Sequence, residues 1–377
     1  MKPFILSVFF LLTMISISNA QPGFPYDERW KKVEQLVQEQ GLTESALTEV
    51  QKIYEAAKKE NNQPQLIKAL VYRINLQQEK EEDAELKGIQ ALEQELQQSK
   101  GVVYSLLTNI LAEAYWQFLQ NNRWKFYNRT NTTQFQKEDP QTWTIDVFHN
   151  RIAALYQASL QEPQLKQTKL EQFEPVIRKG NARHLRPTLF DQLAHRALAY
   201  YENDERTINR PSYAFVLNQP AAFDPAADFI HLTFPTNDSA SLHHKAVLLY
   251  QEIIAFHLND TKPDALIDAD LKRIAFVYEH AVTADKTKRY RQALQYLLTR
   301  YNNKPLVAQA SVRNGQPAGA TVPHPRLLPK YRPSVVPGAA TGKGCTGRQM
   351  ELLGRGLLEP TCQTNLCTTV QLRYAGH

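Results

Sequence analysis

The sequence predicts an all-α protein: an irregular solenoid of helical hairpins followed by a disordered C-terminal tail. Three observations predict it. Apolar residues recur at three- and four-residue spacing through most of the chain from 45 to 301, the periodicity of one helix face. The first four such segments begin about nineteen residues apart, as stacked antiparallel hairpins would. The periodicity then stops near Ala310, where composition changes abruptly.

The first helix spans 45–60, with Leu47, Val50, Ile53, Tyr54 and Ala57 on one face. Asn61-Asn62 breaks it, and Pro64 suits the first turn of a second helix carrying Leu66, Ala69, Leu70 and Ile74. A third runs over 83–99 with Leu86, Ile89, Leu92 and Leu96; a fourth covers 102–121 with Leu106, Leu107, Ile110, Leu111, Ala114, Tyr115 and Phe118. The small-then-aromatic pairs Ala69/Tyr72 and Ala112/Tyr115 resemble tetratricopeptide repeats, so the hairpins read as TPR-like. Residues 122–145 form a long aromatic loop. Helices resume at 146–160 and again after Arg186-Pro187-Thr188, where Thr188 and Asp191 have the spacing of a capping box. A Pro-, Asn- and Asp-rich stretch over 203–240 precedes the last helices at 241–258, 263–283 and 287–301.

The chain therefore divides into a signal peptide (1–20), TPR-like hairpins (21–121), a helical domain with two irregular loops (122–310) and a tail (311–377). Lys2, an apolar run from Phe4 to Ile17 and the small residues Ser18 and Ala20 predict cleavage after Ala20. The run is short for a membrane span, so no span is expected after cleavage.

The net charge of +6 is misleading as a whole-chain figure. Residues 1–310 hold 36 basic and 36 acidic residues; the tail holds eight basic and two acidic. A neutral body argues against nucleic acid as a partner. All three cysteines (Cys345, Cys362, Cys367) lie in the tail, so the body has no thiol with which to form a disulfide. The tail is either a flexible extension or the product of a shifted reading frame.

Catalytic motifs are lacking: there is no HExxH, GxSxG, P-loop or paired CxxC. Gly342 to Gly347 matches GxGxxG without the strand and helix that a dinucleotide site needs. Asp191 and His195 share a helix face and have the spacing for metal binding or proton relay, but capping is the simpler role. His243-His244 reads as surface. No catalytic, cofactor-binding or metal-ligating residue is assigned. Trp116, Trp124, Phe126, Tyr127 and Trp143 are the candidate contacts with a partner or glycan, because exposed aromatics anchor proteins and stack on sugar rings. The competing reading is that this loop folds back and fills a gap between hairpins.

Four stretches, Trp124–Thr130, Arg186–Ala197, Arg210–Phe215 and Ala265–Arg273, together resemble the amino-terminal helical region of the alpha-2-macroglobulin-like proteins of Bacteroidota. The resemblance covers roughly 25–310. It implies a non-catalytic scaffold of the cell envelope or periplasm, docking a protein partner or the remainder of a larger protease-trap protein. The chain carries no bait region, no run of strand-patterned domains and no thioester sequence, so no trapping residue carries over. The alternative is a periplasmic or outer-membrane-associated TPR-like module that binds glycans or proteins.

Overall fold

The computed structural model describes residues 23–78, 83–126, 136–177, 182–205 and 212–310. The predicted signal sequence, Tyr127 and the whole tail lie outside these residues. Among the described residues the chain is helical without a strand, and its only bridges are the isolated pairs Lys169 with Thr188 and Leu217 with Ala281.

The chain enters through α1 (Tyr26–Glu34), continues into a π-helical turn, Gln35–Glu39, and reverses at Gly41. Gly41 adopts φ +64°, a left-handed conformation that side-chain-bearing residues rarely accept. Next come α2 (Thr43–Lys59) and α3 (Gln63–Gln78), joined through Asn61 at φ 52°. Asparagine is among the few other residues that tolerate this turn. Then follow α4 (Ala84–Leu96) and the long α5 (Gly101–Asn121). Each of these helices packs on its sequence neighbour, the arrangement expected of consecutive antiparallel hairpins.

Helix α5 is covered on most of its circumference. Fifteen of its 21 residues are buried, including Leu107, Ile110, Leu111 and Leu119. It touches α3 and α4 on one side, and α7 (Ile145–Ala158) and α8 (Leu189–Tyr201) on the other. A single turn, α6 (Arg123–Phe126), follows α5, and another, α9 (Ala226–Phe229), lies within the second irregular stretch. The body closes with α10 (Leu242–His257), α11 (Asp264–His280) and α12 (Lys286–Arg300), again each on its neighbour. One hydrophobic core runs through the described residues from Trp30 to Ala310.

Capping explains several starts. Thr144 accepts from the Val147 amide and Ser241 from the His244 amide, satisfying first-turn donors of α7 and α10. The capping box expected before α8 is present: Thr188 Oγ1 accepts from the Asp191 amide, and Asp191 Oδ2 accepts from the Thr188 amide. Near the amino end, Glu49 is nearly buried under Arg29 (2.8 Å), Lys32 (2.9 Å) and Lys52 (2.9 Å). Burial opposes its ionisation, yet the hydrogen bonds from those three cations bring its pKa down to about 2.

Phe148 on α7 is the hub of the junction between α5 and α7, with Tyr115, Phe118, Phe126 and Trp143 within 4.9–6.5 Å between ring centroids. Phe148→Ala is expected to destabilise the protein by about 3–5 kcal/mol, the usual effect of emptying a buried aromatic site. Urea unfolding checks this, and a loss below about 1 kcal/mol would remove Phe148 from the core.

Candidate functional site

The aromatic cluster is split by the fold. At the end of α5 the single turn of α6 buries Phe126, 4.9 Å from Phe148 and 6.0 Å from Phe118. Trp143 follows a 3-10 turn capped by Asp139, whose carboxylate accepts from the Gln141 amide at 2.9 Å. Its ring stacks on Tyr115 at 5.3 Å, and its indole N–H donates to the Gln136 carbonyl at 3.2 Å. Phe126 and Trp143 are therefore core residues, which corrects their reading as partner contacts; large rings gain most by leaving water. Trp116 is half-buried, edge-on to Tyr200 at 5.2 Å and 5.8 Å from His149. Only Trp124 among the described members is open, with 78% of its surface exposed and Lys125 Nζ 5.4 Å from the ring.

Asp191 and His195 are not joined. Asp191 Oδ2 accepts from the Thr188 amide and hydroxyl at 2.9 and 2.8 Å, while Oδ1 lies 2.7 Å from His257 Nε2 on α10. His257 Nδ1 lies 2.7 Å from Asp260 Oδ2. Both ring nitrogens thus face carboxylate oxygens, which only accept, so the arrangement calls for imidazolium with N–H on each side. Burial alone would lower the His257 pKa, but hydrogen bonds and charge from Asp191 and then Asp260 raise it. His195 behaves oppositely. Burial pushes its pKa well down, and the cations Arg186, Lys272 and His257 push the same way, so it stays neutral. The Asp191 constellation caps α8 and ties it to α10.

The neighbouring charges are also structural ties. Arg186, just before α8, meets Asp268 on α11 at 2.7 Å, with Lys272 at 3.2 Å. Burial would raise the Asp268 pKa, yet these two cations hold it at about 2. Arg273 is buried, donating to Asp270 and to the carbonyls of Ala222 and Asp224, and it lies 4.5 Å from the centre of the Phe229 ring. It borders a cavity of about 190 Å³ between α11 and α12, below the usual size of a ligand pocket.

Three residues come together that the sequence pattern does not connect. Asp204 follows α8, His243 lies in the first turn of α10, and His280 is the last residue of α11; their ligand atoms fall within 4.8 Å of one another. His243 and His244 are not the surface pair expected. Only 13% of the His243 side chain is exposed, and His244 Nε2 lies 2.9 Å from the Phe234 carbonyl oxygen. Among the described residues no helix is long and apolar enough to cross a membrane. Compared with family models, curated proteins and solved structures, the chain matches none.

The His257 tie has a definite pH dependence. Its folded pKa lies above the unfolded value near 6.5, so its stabilisation is complete below that pH and is lost as pH rises through the folded pKa. His195, with a lowered folded pKa, acts only as pH falls below about 6.5, and it destabilises there. Urea unfolding above pH 6.5 should therefore show stability declining in the wild type, with that decline absent in His257→Gln. An identical slope in both proteins would rule out the buried imidazolium.

Proposed function

We propose that the chain is a non-catalytic helical scaffold, exported to the cell envelope. In this reading it is the docking region of an alpha-2-macroglobulin-like protease-trap protein. One observation carries the reading. Two of the four segments that resemble the family are framework segments: Arg186–Ala197 forms the cap and stripe of α8, and Ala265–Arg273 forms most of α11. They meet through Arg186 and Asp268. A likeness that includes two mutually packed helices and no reactive group is what a shared scaffold produces. Its TPR-like hairpins would present side chains to a protein partner or to the remainder of a larger parent chain.

Trp124 is the proposed anchor, since an exposed indole beside a cation is a common hot-spot element. The same open ring favours a second reading, glycan capture, in which sugars stack on Trp124.

Three measurements separate these readings. Sequencing the gene across codons 300–320 should show a frame shift, and the region downstream of codon 310 should encode macroglobulin-like β-sandwiches in another frame. The downstream region, expressed separately, should bind the full chain, and Trp124→Ala should weaken binding about 30-fold, the equivalent of roughly 2 kcal/mol. No sandwich-coding frame, or no binding, would remove the docking reading. In parallel, oligosaccharide titration should leave tryptophan emission unchanged. A saturable change that disappears in Trp124→Ala would install glycan capture instead.

A further inference from the structure

The carboxylate and two imidazoles of Asp204, His243 and His280 converge from three helix ends. The topology explains why. In the antiparallel pair α10–α11, the start of one helix lies beside the end of the other, which sets His243 against His280 with ring centroids 4.1 Å apart. Helix α8 packs on α10, and the chain leaving it carries Asp204 to the same corner. Asp204 Oδ1 lies 3.3 Å from His243 Nε2 and 3.9 Å from His280 Nδ1. Zinc bonds of about 2.0–2.2 Å in tetrahedral geometry require donor atoms about 3.3–3.5 Å apart. The first of these spacings already fits, and a small side-chain rotation supplies the second.

We propose that Asp204, His243 and His280 bind a divalent transition metal ion of the zinc class. Two imidazole nitrogens and one carboxylate oxygen favour such an ion over calcium or magnesium, which prefer all-oxygen shells. The three protein ligands leave the fourth position to water. Phe276 backs both imidazoles, at 5.6 Å from His243 and 4.6 Å from His280, forming an apolar wall behind the donors. The imidazoles are only 13% and 11% exposed, whereas Asp204 is 55% exposed, so the ion enters past the carboxylate. Two helix C-terminal regions, those of α8 and α11, converge here against one N-terminus, and the field of C-terminal carbonyls favours a cation. Bound there, the ion clips the end of α8 to the α10–α11 hairpin. It supplies a cross-link to a body that has no cysteine with which to make one.

The test uses the full chain stripped with chelator, its three tail thiols blocked with iodoacetamide so that they contribute no ligand. Calorimetric titration with Zn²⁺ should give one site per chain of micromolar affinity or better, and Co²⁺ should develop the visible bands of a four- or five-coordinate ion. Excess Mg²⁺ or Ca²⁺ should not compete. His243→Ala, His280→Ala and Asp204→Asn should each weaken Zn²⁺ binding about 100-fold or more, while the exposed His231→Ala should leave it unchanged. Should a histidine variant lose helical circular dichroism, Asp204→Asn carries the decision, because its side chain lies largely in solvent. No saturable Zn²⁺ binding, or equal affinity in wild type and Asp204→Asn, overturns the proposal.

Discussion

The fold depends on burying α5. A helix apolar around most of its circumference cannot remain at a surface; the other helices have to enclose it. Helices α3 and α4 cover one side, α7 and α8 the other, so the segments before and after the aromatic loop meet on the same rod. Its few buried polar groups fix the register of that meeting. Asn109 donates to Ser159 Oγ at 3.0 Å and to the Leu193 carbonyl at 3.3 Å; Glu113 accepts from the Tyr156 hydroxyl at 2.8 Å. Unpaired, such groups would destabilise a dry interior, so sliding α7 or α8 along α5 is penalised beyond any loss of apolar contact.

Beyond α5 the body changes the kind of tie it uses. Helices α8, α10 and α11 are joined by charge: Asp191 with His257, and Arg186 with Asp268. Buried ion pairs add little net stability, because desolvation offsets attraction, but separating one pair strands a charge. They therefore act as alignment devices. At the amino end Glu49 draws in Arg29 from α1 and Lys52 from its own helix with the same effect. In both places a carboxylate is held far below its ordinary range by surrounding cations rather than by solvent.

The helices were legible where an apolar stripe survives in sequence. Those starting near 43, 63, 84, 101, 145, 189, 242, 264 and 286 fall within a few residues of where spacing and caps predict them. Helix α1 has no such stripe: among YDERWKKVE only Trp30 and Val33 are buried, and the segment is helical through docking on α2. The single turns α6 and α9 are too short to show a period. The aromatic group illustrates a different limit. Local density marks a cluster without saying which rings turn inward; Trp143 turns inward because Tyr115, 28 residues earlier, offers a stacking face. His243 and His280 were invisible as a pair because only hairpin geometry joins positions 37 residues apart.

The pairing of each helix with its sequence neighbour has a kinetic side. Most hairpins close short loops, so their formation is fast and tolerates vectorial delivery of the chain. A smaller set of ties spans 82–86 residues: Asn109 to Leu193, Arg123 to Glu205, and Lys166 to Glu252. These pay a larger loop-closure entropy and form only after α8 and α10 exist. Helix α5 therefore waits, covered by α4 and then by α7 but still open where α8 will pack, until the chain beyond residue 189 arrives. That interval is when the apolar rod is most vulnerable to misassociation, and its length is set by the rate at which the second half emerges.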